Sequence, residues 1–144
     1  MSGEEISSFP IWVGKLRKGI QRRQTEVLKP YGLSSIHSLY LSTLWYEEEG
    51  MTLRELCEKI CVDKANTSRV IAMMEKLSYV ERISSKCGKL KCRIRLTDSG
   101  RVIAKEVVSC MHQVHDIMLH TLTKEEFETI YNVIKKLSEI EDLT

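Results

Sequence analysis

The apolar residues of this chain keep a helical period along most of its length and abandon it once. From Lys89 to Leu96 the cations Lys89, Lys91, Arg93 and Arg95 alternate with Leu90, Cys92, Ile94 and Leu96. That is a strand period of two, with a basic face set against an apolar face. Tyr79 to Ile83 is the antiparallel partner, joined through Ser84, Ser85, Lys86, Cys87 and Gly88. Everything else reads as helix, since only two prolines and seven glycines interrupt stretches rich in Leu, Ile, Glu, Lys and Met. The expectation is a mainly α (α+β) fold with one two-stranded β hairpin.

Helix punctuation sets the order of elements. An amphipathic stretch carries Ile11, Leu16, Ile20, Val27 and Leu28 on one stripe and stops at Pro30-Tyr31-Gly32. A second helix starts near Ser34 and runs until Gly50 with Ile36, Leu39, Tyr40, Leu41, Leu44 and Trp45. Thr52-Leu-Arg-Glu55 has the form of a capping box, in which hydroxyl and carboxylate satisfy free amides of a first turn. Asp63 is the next cap, and Ala65 to Leu77 follows at helical spacing. Two short helices about three residues apart make a helix-turn-helix pattern ahead of the hairpin. After Thr97 a stripe runs from Val102 to Met118, and a last helix opens on the capping box of Thr123 and Glu126. The terminal helices carry more apolar surface than the small middle module can cover, which predicts association with a second copy.

The net charge of +2 hides an asymmetry. Residues 52–101 hold twelve basic side chains against six acidic, whereas residues 102–144 hold four against eight. From Arg82 to Arg95 there are six cations (Arg82, Lys86, Lys89, Lys91, Arg93, Arg95) and no acid. Four of them share one strand face and cannot neutralise one another, so an external polyanion is expected to do so. On a helical wheel drawn from Asp63 the core stripe is Val70, Met74 and Leu77, flanked by Thr67 and Ile71. Lys64, Ala65, Ser68, Arg69 and Lys76 then face outward, with Asn66 at the edge. These residue types suit the DNA major groove: Arg and Lys donate to guanine O6 and N7, Asn bridges an adenine edge, and Ala touches a thymine methyl.

The runs Tyr31-Gly-Leu-Ser34, Thr52-Leu-Arg-Glu-Leu56, Val62-Asp-Lys-Ala65, Thr67-Ser-Arg69, Met74-Glu-Lys-Leu77, Val80-Glu-Arg82 and Leu96-Thr-Asp-Ser-Gly100 resemble the MarR family of transcriptional regulators in order and along nearly the whole chain. The resemblance implies a single domain over residues 1–144. Within it, residues 34–100 would form a winged helix-turn-helix, and residues 1–33 and 101–144 would be dimerisation helices. It implies a cytoplasmic homodimer that binds double-stranded DNA at a palindromic operator, as a repressor relieved by a small aromatic or phenolic effector. Carried over by position, Lys64, Ala65, Asn66, Thr67, Ser68 and Arg69 fall on the recognition helix. Arg54 falls near the DNA backbone, and Arg82, Lys86, Lys89, Lys91, Arg93 and Arg95 fall on the backbone-contacting hairpin. The effector cleft would draw on His37, Tyr40, Trp45, Met111 and His115. The wing departs from the family pattern, because its usual Asp-x-Arg falls on Gly88, Lys89 and Leu90. Lys89 then takes the wing-tip position without arginine's planar fork, which implies less selective minor-groove insertion.

Other chemistry has less support. His112 and His115 share a helix side, but no nearby Cys or Glu completes a metal set, and neither cysteine pair, Cys57 with Cys61 or Cys87 with Cys92, has zinc-site CxxC spacing. A thiol at the hairpin turn would lie among lysines and gain thiolate character. No phosphate-cradling glycine loop, GxSxG or HExxH is present, so neither an enzyme nor a cofactor is expected. No basic leader or membrane span is legible, and five cysteines read as reduced thiols of an intracellular protein. The competing class is a winged-helix protein–protein interaction module without operator binding.

Overall fold

A computed structural model describes residues 1–84 and 92–141. Helix α1 (Gly3–Leu28) opens on a Ser2–Glu5 capping box and ends in a single 3-10 turn, Lys29–Tyr31. Then follow α2 (Ser35–Trp45), β1 (Met51–Thr52), α3 (Leu53–Ile60), α4 (Lys64–Lys76), β2 (Val80–Ser84), β3 (Cys92–Leu96), α5 (Asp98–Thr121) and α6 (Lys124–Ser138). The chain divides into two compact units, residues 1–110 and 111–144. No described helix is long and apolar enough to cross a membrane.

The first unit holds the buried core. Leu28, Tyr40, Leu41, Leu44, Leu56, Ile71, Met74, Ile94 and Ile103 are almost wholly shielded from water. Each such side chain contributes roughly 1.5–3 kcal/mol on burial. The expected caps are all present: Thr52 accepts from the Glu55 amide at 3.2 Å, and the Asp63 carboxylate accepts from the Asn66 amide at 2.9 Å. In the second unit, the Thr123–Glu126 box opens α6, and His115 meets Phe127 edge to face at 4.7 Å.

Several expectations are corrected. The sheet has three antiparallel strands in the order β1-β3-β2, because Met51 pairs with Ile94 and Thr52 with Arg93. Two residues carry no period, so β1 left no pattern to read. Helix α2 stops at Trp45 rather than Gly50, since Tyr46–Glu49 turn the chain into β1 and the Gly50 amide donates to Glu47 O. Gly50 sits at φ +74, where a Cβ would lie 2.5 Å from Ile94 O.

Strand β2 begins at Val80, not Tyr79, because the chain between α4 and β2 is a clasp. Ser78 takes a left-handed φ of 61 and ends α4. Thr97 and Ser99 donate their hydroxyls to Ser78 O at 2.6 and 2.9 Å, and the Thr97 amide donates to Tyr79 O at 3.1 Å. Gly100 packs so closely that a Cβ there would stand 1.9 Å from Tyr79 O. The run Leu96-Thr-Asp-Ser-Gly100 thus ties the start of α5 to the end of α4.

Candidate nucleic-acid interface

The face that α4 presents depends on which residues it buries. Thr67, Ile71 and Met74 form the buried stripe, whereas Val70 is half-buried and Leu77 is 40% exposed. The buried face is therefore shifted toward Thr67 and Ile71, expected at the flank of the stripe, and away from Val70 and Leu77. Thr67, expected to read DNA, is fully buried, with its Oγ1 3.2 Å from the Tyr40 hydroxyl. Buried hydroxyls require partners, and this pair satisfies both. Lys64, Ala65, Asn66 and Arg69 remain exposed, and Ser68 is half-buried.

A chain of hydrogen bonds runs along that exposed face. The Asn66 side-chain amide donates to Asp63 Oδ2, and its Oδ1 accepts from Arg69 Nη2. Bonds from the Asn66 backbone and side chain hold the Asp63 carboxyl below its usual pKa, so it stays ionised. Arg54, on α3, is exposed and paired one turn along with Glu58 at 2.9 Å. A pair so open to solvent opens at little cost.

The sheet behaves differently. Arg95 Nε meets Glu81 Oε1 at 2.7 Å, and these residues are direct cross-strand partners. Arg82 Nε reaches Glu75 Oε2 on α4 at 3.1 Å. Arg93 donates through Nη2 to Gly50 O at 2.6 Å and through Nε to Glu49 O at 3.1 Å, with Glu55 3.8 Å away. The expectation that an external anion must neutralise this row fails for Arg82, Arg93 and Arg95. The acids lie just outside the acid-free run, at positions that strand register and helix packing return to it. Lys86, Lys89 and Lys91 lie outside the described residues, as do Leu90 and the expected first half of the second hairpin strand. Cys92, expected on the apolar side, is exposed because it lies beyond the core that receives Ile94 and Leu96.

A helix-turn-helix whose second helix turns polar side chains outward, followed by a hairpin, can be set against known proteins. The MarR family model matches residues 34–86, from the cap of α2 to just past the end of β2. Over those residues the chain matches the MarR family. It is 26% identical over 141 residues to the HTH-type transcriptional regulator BilQ of Clostridioides difficile, a match covering 96% of this chain and 91% of BilQ. Among solved structures it resembles S. aureus MepR in complex with DNA, at a TM-score of 0.78 and 16% identity, covering 92% of this chain and 98% of the other. NadR in complex with 4-hydroxyphenylacetate is likewise similar, at a TM-score of 0.76 and 16% identity over 93% of this chain and 94% of the other.

Of the residues that the MarR resemblance would bring to an effector cleft, three lie in the first unit and two in the second. His37 is buried at the start of α2, where its Nδ1 accepts from the Ser34 amide at 3.0 Å and burial pushes its pKa down. Tyr40 is buried in the core, its hydroxyl against Thr67. Trp45 is half-buried beneath the Arg101 guanidinium, 5.1 Å from its ring centre. Met111 and His115 belong to the second unit. A surface hollow of about 560 Å³ in the first unit is lined by Glu48, Glu81, Arg95, Leu96, Thr97, Asp98 and Arg101, none of them expected there. Among the described residues no cluster of three or more His, Cys, Asp or Glu could hold a metal ion.

Sequence reasoning also missed Asp63 as more than a cap, and Glu55, Glu75 and Glu81 as anchors of the sheet arginines. The signals were available: Asp63, Asn66 and Arg69 recur at a spacing of three, which stacks them on one helix face.

Proposed function

We propose that this protein is a sequence-specific, double-stranded DNA-binding transcriptional regulator of the MarR family. It acts as a homodimer on a palindromic operator, and it represses until a small phenolic or other small apolar anion releases it. The observation that carries the reading is the outward face of α4. Lys64, Ala65, Asn66 and Arg69 stand clear on a helix whose opposite side is locked into the core by Thr67, Ile71 and Met74. Such a helix is a groove reader rather than a packing element. The DNA bound by MepR and the 4-hydroxyphenylacetate bound by NadR, on similar folds, support the partner and the effector class.

The dimer reading rests on apolar residues left in water. On α1, Ile6, Phe9, Ile11, Trp12, Val13 and Leu16 are 47% to 61% exposed, and on α6 Tyr131, Val133 and Ile134 are also exposed. Large apolar side chains exposed along a helix in this way mark an interface. In this reading residues 34–100 carry the DNA contacts, and residues 1–33 and 101–144 make the dimer. Its two-fold axis would set the paired reading helices about 34–36 Å apart, one DNA turn.

Binding of the purified protein to fragments of its own upstream region, with random duplex as competitor, tests the proposal. A preferred fragment should bind roughly a thousandfold or more tighter than random duplex, and log affinity should fall linearly with log salt. Equal affinity for all fragments would overturn operator binding and favour the protein-interaction module. A monomer in sedimentation at micromolar concentration would overturn the dimer.

A further inference from the structure

Asn66 is the residue of α4 best suited to bridge an adenine, yet both ends of its side-chain amide are engaged within the helix. The bridge needs the amide nitrogen to donate to N7 and the amide oxygen to accept from N6, with both aimed at one base edge. Here the nitrogen donates toward Asp63, one turn back, and the oxygen accepts from Arg69, one turn ahead. The amide therefore lies along the helix, between an anion on its donor side and a cation on its acceptor side. Both bonds are charge-assisted, the stronger kind. The Asn66 backbone is pinned as well, since its N–H donates to Asp63 Oδ1 at 2.9 Å. Arg69 keeps four of its five N–H donors beyond the one given to Asn66.

We propose that Asn66 is a positioning residue that, with Asp63, holds the Arg69 guanidinium for forked donation to guanine O6 and N7, and that Asn66 specifies no adenine. The proposal rests on the reading of α4 as the groove helix. It assigns the specificity of this helix to one guanine per half-site, read by Arg69, with the Asp63–Asn66–Arg69 relay setting how sharply that guanine is preferred. Removing the relay leaves the arginine charge in place but frees the fork to wander, so overall affinity changes less than preference at that one position. Asp63→Asn is the conservative probe. It keeps an effective helix cap while removing the negative charge that orients the amide.

The experiment is selection of bound sequences from a random duplex pool, run in parallel with the wild-type chain and the variants Arg69→Ala, Asn66→Ala and Asp63→Asn, each first confirmed folded by circular dichroism. The wild type should enrich a two-fold symmetric motif containing a guanine that Arg69→Ala no longer selects. Asn66→Ala should lower preference at that same guanine by about tenfold, the scale of one lost forked contact, and leave every adenine preference intact. Asp63→Asn should give a smaller loss at the same position. If Asn66→Ala instead abolishes preference at an adenine and spares the guanine, Asn66 reads bases directly and the proposal is wrong. If Asn66→Ala and Asp63→Asn leave the motif unchanged, the relay has no role, although the DNA-reading function stands. If the wild type enriches no motif, the functional reading itself falls and the proposal with it.

Discussion

Two regions of the first unit are both basic in sequence and opposite in structure. On α4, Lys64 and Arg69 face outward, and the only acid bound into their face among the described residues is the capping Asp63. On the sheet, Arg82, Arg93 and Arg95 turn to Glu75, Glu55, Glu81 and two backbone carbonyls. Counting cations along the chain ranked the sheet as the stronger anion site, but pairing geometry reverses the order for its described part. A run free of acids is neutralised all the same when strand register sets a glutamate opposite it. What a charged segment offers a partner is the charge left after its own fold has taken its share.

The largest effect that would break this comparison lies at the clasp on which both regions depend. Gly100→Ala drives a Cβ into Tyr79 O and should destabilise the fold by roughly 2–4 kcal/mol, seen as a lower urea midpoint. Retention of full stability would mean that the clasp is slack. Next comes Thr67→Val, which keeps the shape but strands the buried Tyr40 hydroxyl. We expect a loss of about 1–3 kcal/mol in stability with base preference unaltered. A changed DNA preference at full stability would restore Thr67 as a reader.

A smaller effect separates the two sets of cations directly. Lys64→Ala should lower the slope of log affinity against log salt by about one, whereas Arg95→Ala should leave it nearly unchanged. A double-mutant cycle of Arg95 with Glu81 should give a coupling of at most about 1 kcal/mol, because both side chains are nearly half exposed. Equal slope changes in the two variants would erase the distinction between helix and sheet. The smallest effect is on pH dependence. Burial lowers the His37 pKa, so the unfolded chain takes up the proton first. Stability should therefore decline as pH falls below the ordinary histidine value of 6.5. His37→Gln should flatten that part of the stability–pH profile, and an unchanged profile would assign the acid sensitivity to other groups.

Much of this was legible in advance because it is local. Capping at Thr52, Asp63 and Thr123 depends on residues three apart, and the period switch near Arg93 depends on residues two apart. The parts that escaped reading are non-local. Strand β1 exists only because Met51 finds Ile94, and the buried face of α4 shifts toward Thr67 because Thr67 finds Tyr40. The arginine anchors depend on register between Glu81 and Arg95, which no window of sequence contains. Arg69 was placed outward and Asn66 at the edge of that face, but their bond to each other was invisible while each was considered alone.

The burial of Thr67 on α4 has a consequence for how such a protein diversifies. Its inward residues are fastened by hydroxyl and methyl groups that tolerate little exchange, whereas Lys64, Ala65 and Arg69 support none of the interior. On the proposed reading of α4, preference for a different target could drift through these outer positions by single substitutions that leave the scaffold beneath intact.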